Sequence, residues 1–190
     1  MFKAKQMGRA APLLLLSPVV LVFGMALNRS FDWRSSLRSE SGRGRGVPAG
    51  RKVLNIVAGA TAIGGFAADW NRTHLFNPNW PPHAKFHDAQ TIAMAALLGL
   101  GGLYALNRKG SAPQRNTAMG AILPAFFWAS MGAAFGFPRT AGLQSEFPER
   151  VPRVRGVWID ERFASGGMLG LIAVGYWLDR RWQTGKARRR

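Results

Sequence analysis

Four stretches of this chain, Val53–Ala68, Ala89–Leu106, Thr117–Phe137 and Phe163–Leu178, contain no charged residue. Helices that face water on one side carry a polar stripe there, and these runs show none. They therefore read as helices with apolar surroundings on every side, which predicts an all-α, integral membrane four-helix bundle. A soluble bundle of buried helices is the competing reading, and the missing stripes weigh against it. A crossing takes about 20 residues, so the first and last runs are short. Trp70, Trp158, Trp177 and Trp182 flank runs and can lengthen them, because indole rings settle at the headgroup level.

Charge supports the same architecture. The chain has 26 Lys and Arg against nine acids, a net charge of +17. Such a balance suits nucleic acid, but these basic residues flank apolar runs instead of lining an aromatic-interleaved surface. Nucleic acid is set aside as a partner and membrane lipid takes its place. Arg29–Lys52, Asn107–Asn116 and Asp179–Arg190 hold most of the excess, whereas Asp69–Asp88 and Pro138–Arg162 are nearly balanced. The positive-inside rule puts the first set in the cytoplasm or matrix and the second outside. There is no cysteine, hence no disulfide framework and no thiolate metal site.

The composition divides the chain into four parts. Residues 1–28 are a basic start and an apolar run, Ala10–Leu27, that reads as a signal peptide, a signal anchor, an organelle transit segment or an additional N-terminal span. Residues 29–52 are a Ser-, Gly- and Arg-rich linker unable to fold alone. Residues 53–179 form the four-helix core, and 180–190 a basic tail. The core runs are rich in glycine. Gly132/Gly136 and Gly166/Gly170, each four apart, share a helix face of the kind that lets helices approach closely in lipid. These faces would pack the bundle or join copies of the chain into a homo-oligomer.

The segment joining the first two core runs, Ala68–Thr91, holds all three histidines, His74, His83 and His87. Pro81-Pro82 suits a helix start, and from there His83 and His87 fall one turn apart on one face, continued by Gln90, Thr91 and Met94. Asp69, Lys85 and Asp88 lie beside them. Three chemistries fit. His83 and His87 could transfer protons, with Asp69 or Asp88 orienting an imidazole. An i, i+4 histidine pair could bind a metal with His74 or an Asp, although no HExxH or histidine-box pattern is present. Alternatively the loop is a cap whose turns are fixed by Asn77-Pro78 and Pro81-Pro82. The prolines of Pro138–Arg162 exclude a continuous helix there and suggest an extended lid, bringing Arg139, Asp160, Glu161 and Arg162 to membrane level. Two sequons, at Asn28 and Asn71, match the glycosylation pattern, Asn71 too close to the predicted membrane surface for ready modification.

The residues Asp69-Trp70-Asn71, His74, Phe76-Asn77-Pro78, Trp80 through His87 and Gln90-Thr91 resemble the signature of an uncharacterised family of small multi-pass membrane proteins from fungi and bacteria. In that family a DWNxTHxFNPxWPPHAKFHxxQT loop links two apolar segments. The resemblance covers roughly Val53–Leu178 and implies topology, without a reaction or catalytic residues to carry over. The expected function is a membrane enzyme acting on a lipophilic small molecule by acid–base chemistry. His83 and His87 would be acid and base beside His74, Asp69 or Asp88 the orienter, and Lys85 and Arg139 electrostatic stabilisers. The rival is a non-enzymatic membrane scaffold or assembly protein. No cofactor is named by the sequence.

Overall fold

A computed structural model describes residues 47–110 and 112–188. The N-terminal apolar run, the sequon at Asn28 and most of the basic linker lie outside the described residues. The all-α, four-helix reading is borne out: α1 is Ala49–Asp69, α2 Pro82–Asn107, α3 Pro113–Ala134 and α4 Glu161–Ala187. They run up and down in sequence order, each packed on the next, and α4 closes back onto α1.

The helix starts follow simple local rules. Pro82 and Pro113 open α2 and α3 at positions where a missing N–H is harmless. Asp160 caps α4, its carboxylate accepting the Arg162 backbone N–H at 3.0 Å. Two boundaries differ from the sequence expectation. Helix α1 begins at Ala49, inside the expected linker, because Arg51 finds partners on all three other helices (below). Helix α4 continues through the expected tail to Ala187.

The core is small: Leu54, Val57, Ala58, Leu106, Ala121 and Ile172 pack at its centre. Beside them on the inward faces sit Thr61, Thr117, Ser165 and Asp179, all buried. Several ties between helices are polar: the Trp128 indole N–H donates to the Thr61 hydroxyl at 2.8 Å, and the Ser165 hydroxyl to the Trp128 carbonyl at 2.6 Å. The outward faces are apolar instead. Ile56 is 69% exposed, Ile63 67%, Phe126 60% and Val174 52%.

Among the described residues, α2 and α3 are long and apolar enough to cross a membrane. The runs within α1 and α4 are shorter and end against Arg51 and Lys52, or Asp179 and Arg180. Nor do all the expected glycine pairs pack within the chain. A Cβ on Gly166 or Gly170 would meet nothing within 4 Å, and on Gly136 only its own turn, whereas Gly132 lies against Ser165. The closest helix approaches fall at Gly99, against Ala58 and Ala62, and at Gly50, against Gly175 and Asp179.

The lid is ordered by short pieces. Two 3-10 turns, Leu143–Ser145 and Pro148–Arg150, precede a minimal hairpin of β1, Arg153–Val154, and β2, Val157–Trp158. Its turn residues Arg155 and Gly156 both have positive φ, 49° and 85°, as the tight primed hairpin turn requires.

Candidate functional site

The loop between α1 and α2 is built by its own asparagines. The Asn71 Oδ1 accepts the Thr73 N–H at 2.8 Å and the Thr73 hydroxyl at 2.6 Å, while its amide N–H donates to the Ala68 carbonyl. Asn77, 2% exposed, donates to the Thr73 carbonyl and accepts the Asn79 N–H. These turns replace backbone pairing that a non-helical segment would otherwise lack. The Asn71 side chain of the second sequon is thus committed to holding the loop.

That network also fixes His74. The Thr73 hydroxyl has one proton, and the carbonyl oxygen of Asn71 can only accept it. The 2.8 Å contact between Thr73 Oγ1 and His74 Nδ1 is therefore donated by Nδ1–H. A neutral His74 then presents a bare Nε2, which faces Asp69 Oδ1 at 3.7 Å. Asp69 lies just beyond the apolar run. Burial raises its carboxyl above the ordinary range; His74 opposes this and the negative charge of Glu161 adds to it. Asp88 lies within electrostatic reach of both Asp69 and His74, and its Oδ2 is buried with no hydrogen-bond partner.

The expected pair, His83 and His87, is real but sits elsewhere. Their Nε2 atoms are 3.1 Å apart, and His87 Nδ1 is 3.3 Å from Gln90 Oε1. Both rings are exposed, with Phe86 beside them 60% exposed. Helical geometry explains the separation. At roughly 100° per residue, Asp88 shares the face of Ile92, Ala95 and Gly99 that packs inward, and His83 and His87 point the other way. The structure therefore divides the expected constellation into an inner Asp69–His74–Asp88 group and an outer His83–His87 pair. Neither Lys85 nor Arg139 makes a side-chain hydrogen bond or ion pair among the described residues, so neither is held toward either group. Nor do three or more His, Asp or Glu side chains among the described residues come together as a metal site.

A cleft of about 330 Å³ opens at this end between α2, α3, the lid and α4, lined by Thr91, Phe127, Ser130, Phe135 and Glu161 among others. Glu161 Oε1 accepts the Leu143 N–H at 2.9 Å, but its Oε2 is buried without a donor, against Gly142. Beside it Asp160 binds Arg162 at 2.6 Å, and those hydrogen bonds hold the Asp160 carboxyl below the usual range despite its burial. Sequence reasoning puts Glu161 at membrane level, either facing the histidine loop or marking the helix start, and gives it no role in the site.

A second polar cluster, missed from the sequence, ties all four helices at the opposite end. Asp179 on α4 is completely buried. Its Oδ2 accepts from Arg51 of α1 at 3.0 Å, Thr117 of α3 at 2.7 Å and Gln183 at 2.7 Å. Arg51 also donates to Thr117 and to the Leu106 carbonyl that ends α2. One signal was available. Among the described residues Asp179 is the sole acid at an end that holds nine Lys and Arg, an isolation that invites a specific partner.

A family model described as a family of unknown function (DUF6640) matches residues 52–190. The chain belongs to the DUF6640 family. Both polar clusters, the histidine loop and the lid fall within the DUF6640 region, except that Arg51 precedes it by one residue. No curated protein and no solved structure matches the chain.

Proposed function

We propose that this DUF6640 protein is a multi-pass integral membrane protein with an acid–base site at its non-cytoplasmic end, acting on a lipophilic small molecule. Apolar side chains on the outward faces of all four helices, over an interior of threonine, serine, glycine and aspartate, support a lipid surround. The near charge balance of the lid end and the basic opposite end support this orientation.

The observation that carries the acid–base reading is the bare Nε2 of His74 facing Asp69, with donor-less oxygens on Asp88 and Glu161 nearby. A proton entering here would be held between imidazole and carboxylate, and an imidazole is suited to exchange it near neutral pH. Glu161 would add its negative charge to the wall of the cleft. His83 and His87, exposed on the outer face, would serve as a proton-sharing relay at the headgroup level instead of the catalytic acid and base.

The second reading is a scaffold in which the loop only caps the bundle, and the dense hydrogen bonding of Asn71, Thr73 and Asn77 favours it. Asp88→Asn separates the two. The change removes a carboxylate repelled by Asp69 and supplies a donor. On the acid–base reading it should raise the thermal stability of detergent-purified protein, by up to about 1 kcal/mol. A clear loss of stability would mean that the carboxylate is there for the fold, and would favour the cap.

A further inference from the structure

We infer that the groove between α3 and α4 holds one anionic phospholipid, its acyl chain along the groove and its phosphate between Arg115 and Arg180. The inference rests on the membrane reading above and adds a specific lipid site to it. The groove, about 330 Å³, is lined almost wholly by apolar groups, among them Ala118, Ala121 and Ile122 of α3 and Leu169, Ala173 and Tyr176 of α4. Its volume is near the lower end of the roughly 300–1,000 Å³ typical of small-ligand sites. Alanines on both walls leave a furrow wide enough for a chain, and it is open along the flank that faces lipid.

Helical register carries both walls to the basic end. Arg115 lies three residues before Ala118, one turn further out on α3, and Arg180 four residues after Tyr176 on α4. Contacts from Arg51 to Leu106, Thr117 and Asp179 put the start of α3 and the end of α4 at that one end. Neither guanidinium makes a hydrogen bond, ion pair or ring contact among the described residues. The one acid at this end among the described residues, Asp179, is buried and already bound to Arg51, so it does not neutralise Arg115 or Arg180. Other cations nearby stack on interfacial aromatics, Arg181 on Trp177 at 4.2 Å and Lys186 on Trp182 at 5.2 Å. That pattern places the headgroup level at the mouth of the groove. Arginine pairs with phosphate through its planar fork, and a basic pocket between helices on the cytoplasmic or matrix side suits an anionic headgroup.

The test is native mass spectrometry of the full chain in mild detergent, with phosphatidylglycerol or phosphatidylcholine of identical acyl chains added at equal concentration. One phosphatidylglycerol should be retained at least about tenfold in preference to phosphatidylcholine. Arg115→Gln with Arg180→Gln should abolish the preference, and Ala173→Phe, which fills the groove from its exposed wall, should reduce retention of both lipids. Equal retention of the two lipids by the unaltered protein overturns the site, whether or not the variants fold. So does a preference that persists in a folded double-arginine variant. A chain that stays monodisperse in aqueous buffer and needs no detergent overturns the membrane reading as well, an outcome distinct from a detergent-soluble protein without lipid preference.

Discussion

Asp179→Ala should leave little folded protein. The change deletes the acceptor shared by Arg51, Thr117 and Gln183 and leaves the Arg51 guanidinium in the interior without its counter-charge, with only the Thr117 hydroxyl and the Leu106 carbonyl to accept from it. Removing one partner of a buried ion pair costs about 3–5 kcal/mol, most of it the desolvation of the charge left behind. Total stabilities of roughly 5–15 kcal/mol make that a large fraction. Arg51 retains some access to solvent, its side chain 19% exposed, which puts the cost toward the lower value. Thr117→Val, which deletes a hydroxyl and leaves the ion pair, should cost less. Thermal unfolding followed by circular dichroism in detergent measures both. A melting temperature for Asp179→Ala equal to that of the unaltered protein would show that the cluster does not hold the helices together.

Gly99→Ala is the second large effect. A Cβ at Gly99 would lie 2.6 Å from both the Ala58 carbonyl oxygen and the Ala62 Cα, and closer still to the Ala62 nitrogen. These are backbone atoms, so no side chain can rotate away and α1 and α2 must separate. Overpacking of this kind costs about 1–3 kcal/mol, and more when backbone has to move. Gly59→Ala on α1 provides the contrast. Nothing lies within 4 Å of the added methyl, and alanine should stabilise the helix by roughly 0.5–1 kcal/mol. The two substitutions are chemically identical, so opposite shifts in unfolding temperature report packing alone. Shifts of the same sign would contradict the helix approach at Gly99.

The helices were legible because charge-free runs and proline starts are local signals. Pro82 opens α2 at the expected Pro81-Pro82 start, while α3 begins at Pro113, four residues before its charge-free run, and α1 and α4 likewise extend beyond theirs. Arg51 looks like linker composition until Asp179, 128 residues away, is known to accept its hydrogen bond. The same gap hid the cluster at the basic end, since only the fold brings Arg51, Leu106, Thr117 and Asp179 together. Within the histidine loop the i, i+4 spacing correctly joined His83 to His87, but spacing does not say which way a face points. Asp88 and His87 are adjacent in sequence and about 100° apart around α2, one half-buried toward the bundle and the other exposed. Glycine spacing has the same limit: Gly166 and Gly170 share a face, yet that face meets no helix of this chain among the described residues, whereas the single Gly99 does.

A lipid surround for all four helices is the claim on which the site and the phospholipid groove both depend. The chain contains no cysteine, so single cysteines can be placed without background. Ile63→Cys, Phe126→Cys and Val174→Cys lie on outward faces of α1, α3 and α4, and Arg72→Cys lies in the loop. In intact membranes a membrane-impermeant maleimide should leave the first three variants unlabelled until detergent denatures the protein, and should label Arg72→Cys in vesicles of the appropriate orientation. Prompt labelling of the three helix variants in the absence of detergent would place water on those faces and contradict the account.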